Sequence, residues 1–239
     1  MSGHVLAIGG GGFLPTERYG AKPGPLIEHA LALTGKDRPK VTALYTATGD
    51  DVARIAQWYA CWAADRRVDA SHLTVLPMPN VDDLRRHLLD QDAIYVGGGS
   101  VAGLMVLWRL HGVDVAMREA WEAGAVLFGV SAGSLCWHSG GTTDSYGPEL
   151  RPWTDGLGLV AGSHCPHYSS EPRRRPLYQK LVADGTLAPG YAADDGVGLH
   201  YATAPGGGAT LHEAVSDRDD AFAWRVEPTG ETQVPTRRL

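Results

Sequence analysis

The stretch Ala125-Val126-Leu127-Phe128-Gly129-Val130-Ser131-Ala132-Gly133 joins a short apolar run to a turn made mostly of small residues. The residues that follow, Ser134-Leu135-Cys136-Trp137, are compatible with a helix, so the order is strand, tight turn, helix. This order places the Ser131 hydroxyl at the carboxyl end of a strand and the amino end of a helix, where developing negative charge is favoured. An ordinary glycine-rich turn has the same pattern, so a nucleophilic Ser131 requires supporting groups elsewhere in the chain.

Short apolar runs alternate with helix-like segments from the amino terminus to this turn. Each run has the length of a strand, and most end in glycine or a polar turn. This βαβα order predicts an α/β fold with a mainly parallel sheet and helices on both faces. The predicted strands cover residues 4–8, 41–45, 73–77, 93–96 and 125–128. The predicted helices cover residues 25–33, 51–65, 81–89, 102–110 and 114–123.

The composition of the chain changes after Trp137. Glycine, proline, serine and threonine dominate residues 139–162, which predicts a long loop region at the carboxyl edge of the sheet. A helix is predicted over 174–183, and the tail after Pro228 is expected to be loose. All 239 residues, 1–239, are expected to form one α/β domain. Antiparallel strands are predicted at residues 190–193, 197–201, 209–212 and 221–226.

Charge and cysteine content narrow the class of protein. A net charge of -6 does not provide the dense cationic face that a nucleic acid or a membrane surface needs, so neither is expected as a partner. The three cysteines, Cys61, Cys136 and Cys165, form no close CxxC pair, which favours a reducing compartment. No signal-like segment or long apolar window is present, so a cytoplasmic location is expected. No motif calls for a cofactor.

A nucleophilic serine needs a histidine within hydrogen-bonding reach, because its hydroxyl is too weak an acid to react unaided. His164 and His167, in Gly162-Ser163-His164-Cys165-Pro166-His167-Tyr168, lie in the stretch expected at the same sheet edge, and His167 is preferred. A turn histidine bonded to the backbone is the alternative for either one. The three closely spaced ligands His164, Cys165 and His167 lack a distant partner, which is poor spacing for zinc, so no metal is predicted.

The histidine needs a carboxylate to fix its tautomer, and the oxyanion needs two backbone N–H groups. Asp144 is the best-placed acid, while Glu149, Asp155, Asp194 and Asp195 compete with it. Ala132 supplies one N–H group by its position after the nucleophile. The turn Gly97-Gly98-Gly99-Ser100 follows the neighbouring predicted strand and is the source expected for the second. This turn lacks the Gly-Lys-Ser/Thr continuation of a nucleotide-binding loop.

Four blocks of this chain, taken in order and spacing, resemble the peptidase E family, over about Val5 to Tyr201. The resemblance extends to cyanophycinases and, more distantly, to class I glutamine amidotransferases. It implies a flavodoxin-like, amidotransferase-type fold and a cytoplasmic serine dipeptidase that, in its best-known form, cleaves after an amino-terminal aspartate. By matching position it implies Ser131 as nucleophile, His167 as base, Asp144 as third member, and Gly99 and Ala132 as oxyanion hole. The blocks are Tyr95-Val96-Gly97-Gly98-Gly99-Ser100, Gly129-Val130-Ser131-Ala132-Gly133, Thr143-Asp144 and Cys165-Pro166-His167-Tyr168.

Two positions depart from that family's pattern. The aspartate-specific members have a longer loop after the histidine, with an arginine that recognises the substrate, whereas this chain runs from Glu171 directly into Pro172-Arg173-Arg174-Arg175. Arg173 or Arg174 is the candidate for that task, and Glu171 is the candidate partner for a substrate's α-amino group. Ser100 stands where those members usually have asparagine, which affects local substrate contacts.

Other functions are compatible with the same residues. A cyanophycin-like or other isopeptide would need a more open groove, and a non-catalytic binding domain could retain the fold. Glutamine amidotransfer is disfavoured because that chemistry uses cysteine at the turn, and Cys136 is expected to be a small core residue, as Trp108 and Trp137 are expected to be packing residues. The expected partner is a small peptide substrate, and a homodimer is compatible with the sequence.

Overall fold

A mixed sheet of 14 strands dominates the computed structural model, which describes residues 3–16, 20–63, 65–204 and 207–239. A separate two-stranded sheet pairs β2 (Phe13–Pro15) with β3 (Ala21–Pro23). The remaining strands are β1 (His4–Ile8), β4 (Lys40–Leu44), β5 (Asp69–Leu73), β6 (Ala93–Val96), β7 (Val126–Val130), β8 (His138–Thr143), β9 (Arg151–Trp153), β10 (Val160–Cys165), β11 (Gly190–Ala193), β12 (Val197–Thr203), β13 (Ala209–Ser216), β14 (Ala223–Glu227), β15 (Gly230–Val234) and β16 (Thr236–Arg238).

Seven α-helices are assigned in the described residues, and their ends follow local sequence signals. Pro25 opens the first helix, where its missing N–H is tolerated. The Ser100 hydroxyl accepts a hydrogen bond from Gly103 N at 3.1 Å and caps the fourth. The helices are α1 (Pro25–Ala32), α2 (Val52–Trp62), α3 (Leu84–Leu89), α4 (Val101–His111), α5 (Val113–Ala123), α6 (Ala132–Leu135) and α7 (Arg174–Ala183). A 3-10 turn covers Thr46–Thr48.

The amino-terminal half of the large sheet is parallel, in the order β1-β7-β6-β4-β5. Ile8 pairs with Val130, and Val96 pairs with Gly129. The residues that follow β1, β6 and β7 therefore meet at one edge of the sheet. The predicted parallel arrangement is confirmed here.

The carboxyl-terminal strands extend this sheet on the other side of β1. Strand β12 is antiparallel to β1 and β13, and β14 is antiparallel to β11 and β15, which confirms the predicted antiparallel strands. Strand β10 runs parallel to both β8 and β11. Residues after β8, β10 and β11 therefore also come together at one edge.

The hydrophobic core lies on both faces of the sheet. Val5 and Ala7 of β1 pack into a cluster with α4 and α5, which includes Trp108. Leu6 and Ile8 pack into a second cluster with α1 and α2. The alternation follows from strand geometry, in which successive side chains point to opposite faces. Because β1 is covered on both sides, its apolar run is continuous.

Three expectations from the sequence were wrong. The region 139–162 contains β8, β9 and the start of β10 instead of a long loop, because its glycines permit close strand contact: a Cβ at Gly140 would lie 2.9 Å from Thr154 Cα. The tail after Pro228 forms β15 and β16, paired with β14 and β13. The predicted strand at 73–77 ends at Leu73.

The other predicted elements agree with the structure within a few residues at their ends. In the predicted helix 51–65, Ala64 lies outside the described residues. Among the residues that are described, no helix combines the length and apolar character needed to cross a bilayer.

Candidate active site

Ser131 lies in a sharp turn between β7 and the single helical turn α6. Its φ of 56° is a conformation that residues with a side chain seldom adopt. The flanking glycines make the turn possible: a Cβ at Gly129 would lie 2.7 Å from Val96 O, and one at Gly133 3.0 Å from Gly97 O. Leu135 N donates to Ser131 O at 2.9 Å. The pentapeptide thus forms a strained elbow that requires small residues on both sides of the serine.

The serine opens onto a cavity of about 380 Å³ at the carboxyl edge of the sheet. This volume is near the lower end of the roughly 300–1,000 Å³ range of small-ligand sites. Residues from four separate strand ends meet there. The lining residues are Gly99, Ser100, Ser131, Asp144, Ser145, His167 and Arg174.

His167 follows β10 and is held by a carboxylate. Its Nδ1 lies 2.6 Å from Asp195 Oδ1, in the turn between β11 and β12. This hydrogen bond, together with the lesser contribution of Ser170, keeps the pKa of Asp195 below its usual value, so the carboxylate is ionised and can only accept. Nδ1 therefore carries the proton and donates it, which leaves Nε2 as the basic nitrogen. A histidine in this tautomer can act as a general base.

Gly10, two residues after the end of β1, leaves room for this pair. A Cβ at Gly10 would lie 2.8 Å from His167 Nδ1 and closer still to the Asp195 carboxylate. The turn is tied down by the hydrogen bond from Gly196 N to Gly10 O at 2.9 Å. His167 and Asp195 thus pack directly against the backbone of Gly10, where a side chain would not fit.

Asp144, the acid implied by the resemblance, has a different environment. It follows β8, lines the cavity and is exposed, and its carboxylate forms no hydrogen bond with His167 in the described part of the chain. Strands β8 and β11 flank β10 on opposite sides, so each delivers an aspartate toward the histidine, and the one after β11 makes the contact. The geometry therefore favours Asp195 over Asp144 as the partner of His167.

The other competing acids are engaged or distant from His167. Asp155 forms an ion pair with Arg109, and Asp194 accepts a hydrogen bond from Phe222 N at 3.0 Å. Glu149 is exposed and does not line the cavity. None of these carboxylates contacts the imidazole within the described ranges.

Two backbone N–H groups are available near Ser131. Neither Gly99 N nor Ala132 N has a hydrogen-bond partner in the part of the chain that the structure describes. Gly99 has φ 138°, and a Cβ there would lie 2.8 Å from the backbone carbon of Ala47. At Gly98 a Cβ would lie 3.2 Å from Ser131 Cβ, which places this glycine turn beside the serine. Both groups predicted for an oxyanion hole are thus free to donate.

His164 lies beneath the elbow and is fully buried. Its Nδ1 donates to Tyr191 O at 3.1 Å, and its Nε2 lies 3.1 Å from the Ser134 hydroxyl. Its ring stacks on His138, with the ring centroids 4.5 Å apart. Ser134 in turn donates to Ser131 O at 2.7 Å. His164 therefore supports the turn and does not reach the cavity.

The two candidate arginines differ in what they contact. Arg173 is exposed and bound to Glu171, with Arg173 Nε and Glu171 Oε1 2.9 Å apart. Glu171, already engaged there, does not line the cavity, and this pairing lowers its pKa to about 2. Arg174 is buried, lines the cavity and donates to Thr142 O at 2.9 Å. Its Nε has no partner among the described residues.

Strand β15 of the tail secures the turn that carries His167. The Tyr168 hydroxyl donates to Glu231, and Arg175 forms an ion pair with the same carboxylate. The Arg175 guanidinium also lies 4.3 Å from the centre of the Trp224 ring. The carboxyl-terminal residues thus help to hold the site.

Peptidase family S51 matches this chain over residues 5–204. The chain belongs to peptidase family S51. The uncharacterized peptidase YgaJ of Bacillus subtilis (strain 168) is 39% identical over 224 residues, which are 93% of this chain and 91% of that protein. A peptidase E of Shewanella denitrificans is 30% identical over 136 residues, or 53% of this chain and 57% of that one.

Two solved structures share the fold of this S51 peptidase. A peptidase from an acI-B1 actinobacterium has a TM-score of 0.69 at 20% identity, with 99% of this chain and 95% of that chain covered. A putative peptidase E protein from Listeria monocytogenes EGD-e has a TM-score of 0.58 at 17% identity, with coverage of 95% and 100%. The predicted resemblance and the predicted fold class are confirmed.

Two features of the S51 site were not favoured from the sequence. Asp195 was only one of several competing acids, although its place after β11, a parallel neighbour of β10, was a usable signal. Gly10 belongs to the run Gly9-Gly10-Gly11-Gly12, where the letters alone do not show which glycine faces the histidine. Cys136, Trp108 and Trp137 are buried, as expected for core residues.

Proposed function

We propose that this S51 peptidase is a serine exopeptidase that hydrolyses dipeptides or short peptides. The observation that carries this proposal is the His167–Asp195 pair, 2.6 Å apart, in a protein whose His167 and strained Ser131 line the same small cavity. The tautomer of His167 presents a basic Nε2, and Ser131 supplies a hydroxyl at a strand end. Together these groups can perform acyl transfer.

In the proposed reaction, Ser131 Oγ attacks the scissile carbonyl carbon while His167 Nε2 takes the hydroxyl proton. Asp195 stabilises the resulting imidazolium. The carbonyl oxygen becomes an oxyanion that accepts hydrogen bonds from Gly99 N and Ala132 N. The C–N bond then breaks, and His167 gives its proton to the leaving amine. Water, activated by the same histidine, hydrolyses the acyl-enzyme and restores the Ser131 hydroxyl.

The substrate that this cavity favours carries a carboxylate near the scissile bond. Arg174 is a buried cation without an ion-pair partner in the described residues, and it lines the cavity. A buried charge without a counter-ion is costly, so an acidic substrate group is stabilised there. Asp144 lines the cavity and Glu171 does not, so we assign to Asp144 the role of binding the α-amino group of the substrate. These contacts match a peptide with an amino-terminal aspartate.

The setting of this reaction is proposed to be the cytoplasm. Cys61, Cys136 and Cys165 are all free thiols, which suits a reducing compartment.

The decisive experiment compares the wild type with Ser131→Ala on a panel of X-Leu dipeptides. Ser131→Ala should reduce turnover to background while the unfolding temperature stays close to that of the wild type, because only one hydroxyl is lost. Ser139→Ala, at an exposed serine that does not line the cavity, is the matched control and should retain activity. Turnover of Ser131→Ala at the wild-type rate contradicts the assignment.

The same panel tests the substrate. Asp-Leu should be cleaved at least about tenfold more efficiently, by kcat/KM, than the isosteric Asn-Leu, because only the aspartate compensates the Arg174 charge. Equal rates for the two contradict the role given to Arg174. Cleavage of a β-aspartyl-arginine isopeptide with no cleavage of the dipeptides would identify a cyanophycinase-like activity instead.

A further inference from the structure

A second cluster of polar side chains lies away from the Ser131 cavity. His29 is on α1, while His200 and Glu213 form a cross-strand pair between β12 and β13. His29 Nε2 and His200 Nδ1 each lie 3.8 Å from Glu213 Oε1, and the three atoms are all within 4.8 Å of one another. Two imidazole nitrogens and one carboxylate oxygen therefore converge on one point.

The two nitrogens have no partner that explains their burial. In the part of the chain that the structure describes, His29 Nε2 and His200 Nδ1 are buried and form no hydrogen bond. A distance of 3.8 Å to the carboxylate is too long for one. Leaving a buried polar atom unsatisfied destabilises the folded state, so such atoms call for an explanation. His200 itself is only 3% exposed, so bulk water does not satisfy it.

A divalent metal ion between the three atoms satisfies all of them. Zinc binds imidazole nitrogen and carboxylate oxygen at about 2.0–2.2 Å, and two histidines with one glutamate form a known three-ligand set. Tetrahedral ligands at these distances are about 3.4 Å apart, so each nitrogen needs to approach the carboxylate oxygen by only about 0.4 Å. The two nitrogens, which lie within 4.8 Å of each other, need to approach by at most about 1.4 Å. Softer thiolate ligands are absent from the cluster, and a hard cation such as calcium would prefer oxygen ligands.

Neighbouring residues orient the ligands in the way that metal sites use. The other ring nitrogen of His200, Nε2, lies 3.0 Å from His4 Nδ1, which leaves Nδ1 for the cation. Arg237 donates to both oxygens of Glu213, at 2.8 and 2.9 Å, and fixes that carboxylate. Arg237 is also the cation that opposes metal binding. The exposed ring of His212, centred 5.2 Å from that of His200, lies at the solvent side.

We propose that His29, His200 and Glu213 form a zinc site that ties α1 to β12 and β13 and is distinct from the peptidase centre. None of the three residues lines the Ser131 cavity. His4, beside the cluster, opens β1 and Gly10 lies beyond its end, so the five residues of β1, about 16 Å of strand, separate the two sites. Three protein ligands leave a fourth position for water. The site fastens the first helix to the centre of the sheet.

The test is a zinc titration of the full chain, produced without a histidine tag and treated with chelator. Calorimetry should show one zinc ion bound per chain, and zinc should raise the unfolding temperature. His29→Gln and Glu213→Gln should weaken binding at least about 100-fold, and His4→Gln about 10- to 100-fold. His212→Gln, the matched control on the same strand as Glu213, should bind as the wild type does. Absence of stoichiometric zinc binding overturns the proposal.

Further measurements keep the test decisive. Wild-type affinity in both His29→Gln and Glu213→Gln, or loss of binding in His212→Gln, overturns the assignment of ligands. If a ligand variant fails to fold, X-ray absorption on the zinc-loaded wild type replaces it: two imidazoles are expected in the zinc shell, and a shell without imidazole contradicts the site. Ser131→Ala should bind zinc with wild-type affinity. The zinc site and the proposed peptidase reaction are therefore tested independently of each other.

Discussion

His164 and His167 are three residues apart, yet they occupy opposite environments. His164 is on β10, fully buried, and its two ring nitrogens lie next to neutral groups only: the Tyr191 carbonyl and the Ser134 hydroxyl. His167 lies beyond the end of β10, where a φ of 55° turns the chain, and it meets an ionised carboxylate and the cavity. One imidazole supports the elbow, whereas the other can exchange protons. The surroundings of a histidine, more than its distance along the chain from Ser131, decide its role.

The largest expected effect comes from removing the negative charge of Asp195, the carboxylate that His167 contacts and His164 lacks. Asp195→Asn should lower kcat by about 10³- to 10⁴-fold, because the amide neither fixes the imidazole tautomer nor stabilises the imidazolium. Asp144→Asn is the matched control: it should raise KM for a dipeptide while it leaves kcat within a fewfold of the wild type. Steady-state kinetics on Asp-Leu separates the two. A larger loss of kcat in Asp144→Asn would return the triad role to that residue.

A smaller loss is expected when the His167–Asp195 pair is displaced without changing either residue. Gly10→Ala places a methyl group against both side chains, and a displacement of about 1 Å can reduce kcat by about 10²-fold. Gly11→Ala is the control, since it has φ 85° but no atom within 4 Å of its Cβ. It should lose about 1 kcal/mol of stability and keep its kcat. Equal activity in the two variants would contradict the contact seen at Gly10.

The smallest expected effect concerns the two stacked, buried histidines His138 and His164, and it is an effect on the free energy of unfolding. Burial lowers the pKa of His138 to about 3 and that of His164 well below its usual value. Between about pH 3 and 6.5 the unfolded chain binds protons that the folded chain does not, so stability falls as pH falls through this window. Each such histidine contributes a slope of up to about 1.4 kcal/mol per pH unit.

Urea unfolding at pH 7 and pH 5 measures this slope. His138→Gln should flatten it, whereas His212→Gln, which changes an exposed side chain, should leave it as in the wild type. Asp195 acts in a different window: its lowered pKa contributes stability above about 3.8, its usual value, that is lost only as pH falls further. An unchanged slope in His138→Gln would show that the buried pair does not titrate on unfolding.

Much of the fold was predictable because its signals are local. The apolar runs of β1 and β6 predict strands, and the glycines beside Ser131 predict a tight turn, from neighbouring residues alone. The resemblance to the peptidase E family then predicts how these elements are arranged. The strands in 139–162 were missed because glycine is disfavoured in strands unless another backbone comes close, and that backbone is distant in sequence. Asp195 faces His167 only because β11 pairs beside β10, which depends on pairing between strands and not on spacing.

The contacts of Glu231 have a consequence for synthesis of the protein. The turn that carries His167 is held by β15, through Tyr168 and Arg175, and these contacts span 63 and 56 residues of the chain. A growing chain can form the elbow at Ser131 well before residues 230–234 are made. The histidine turn would therefore gain this support only after the ribosome has passed β15.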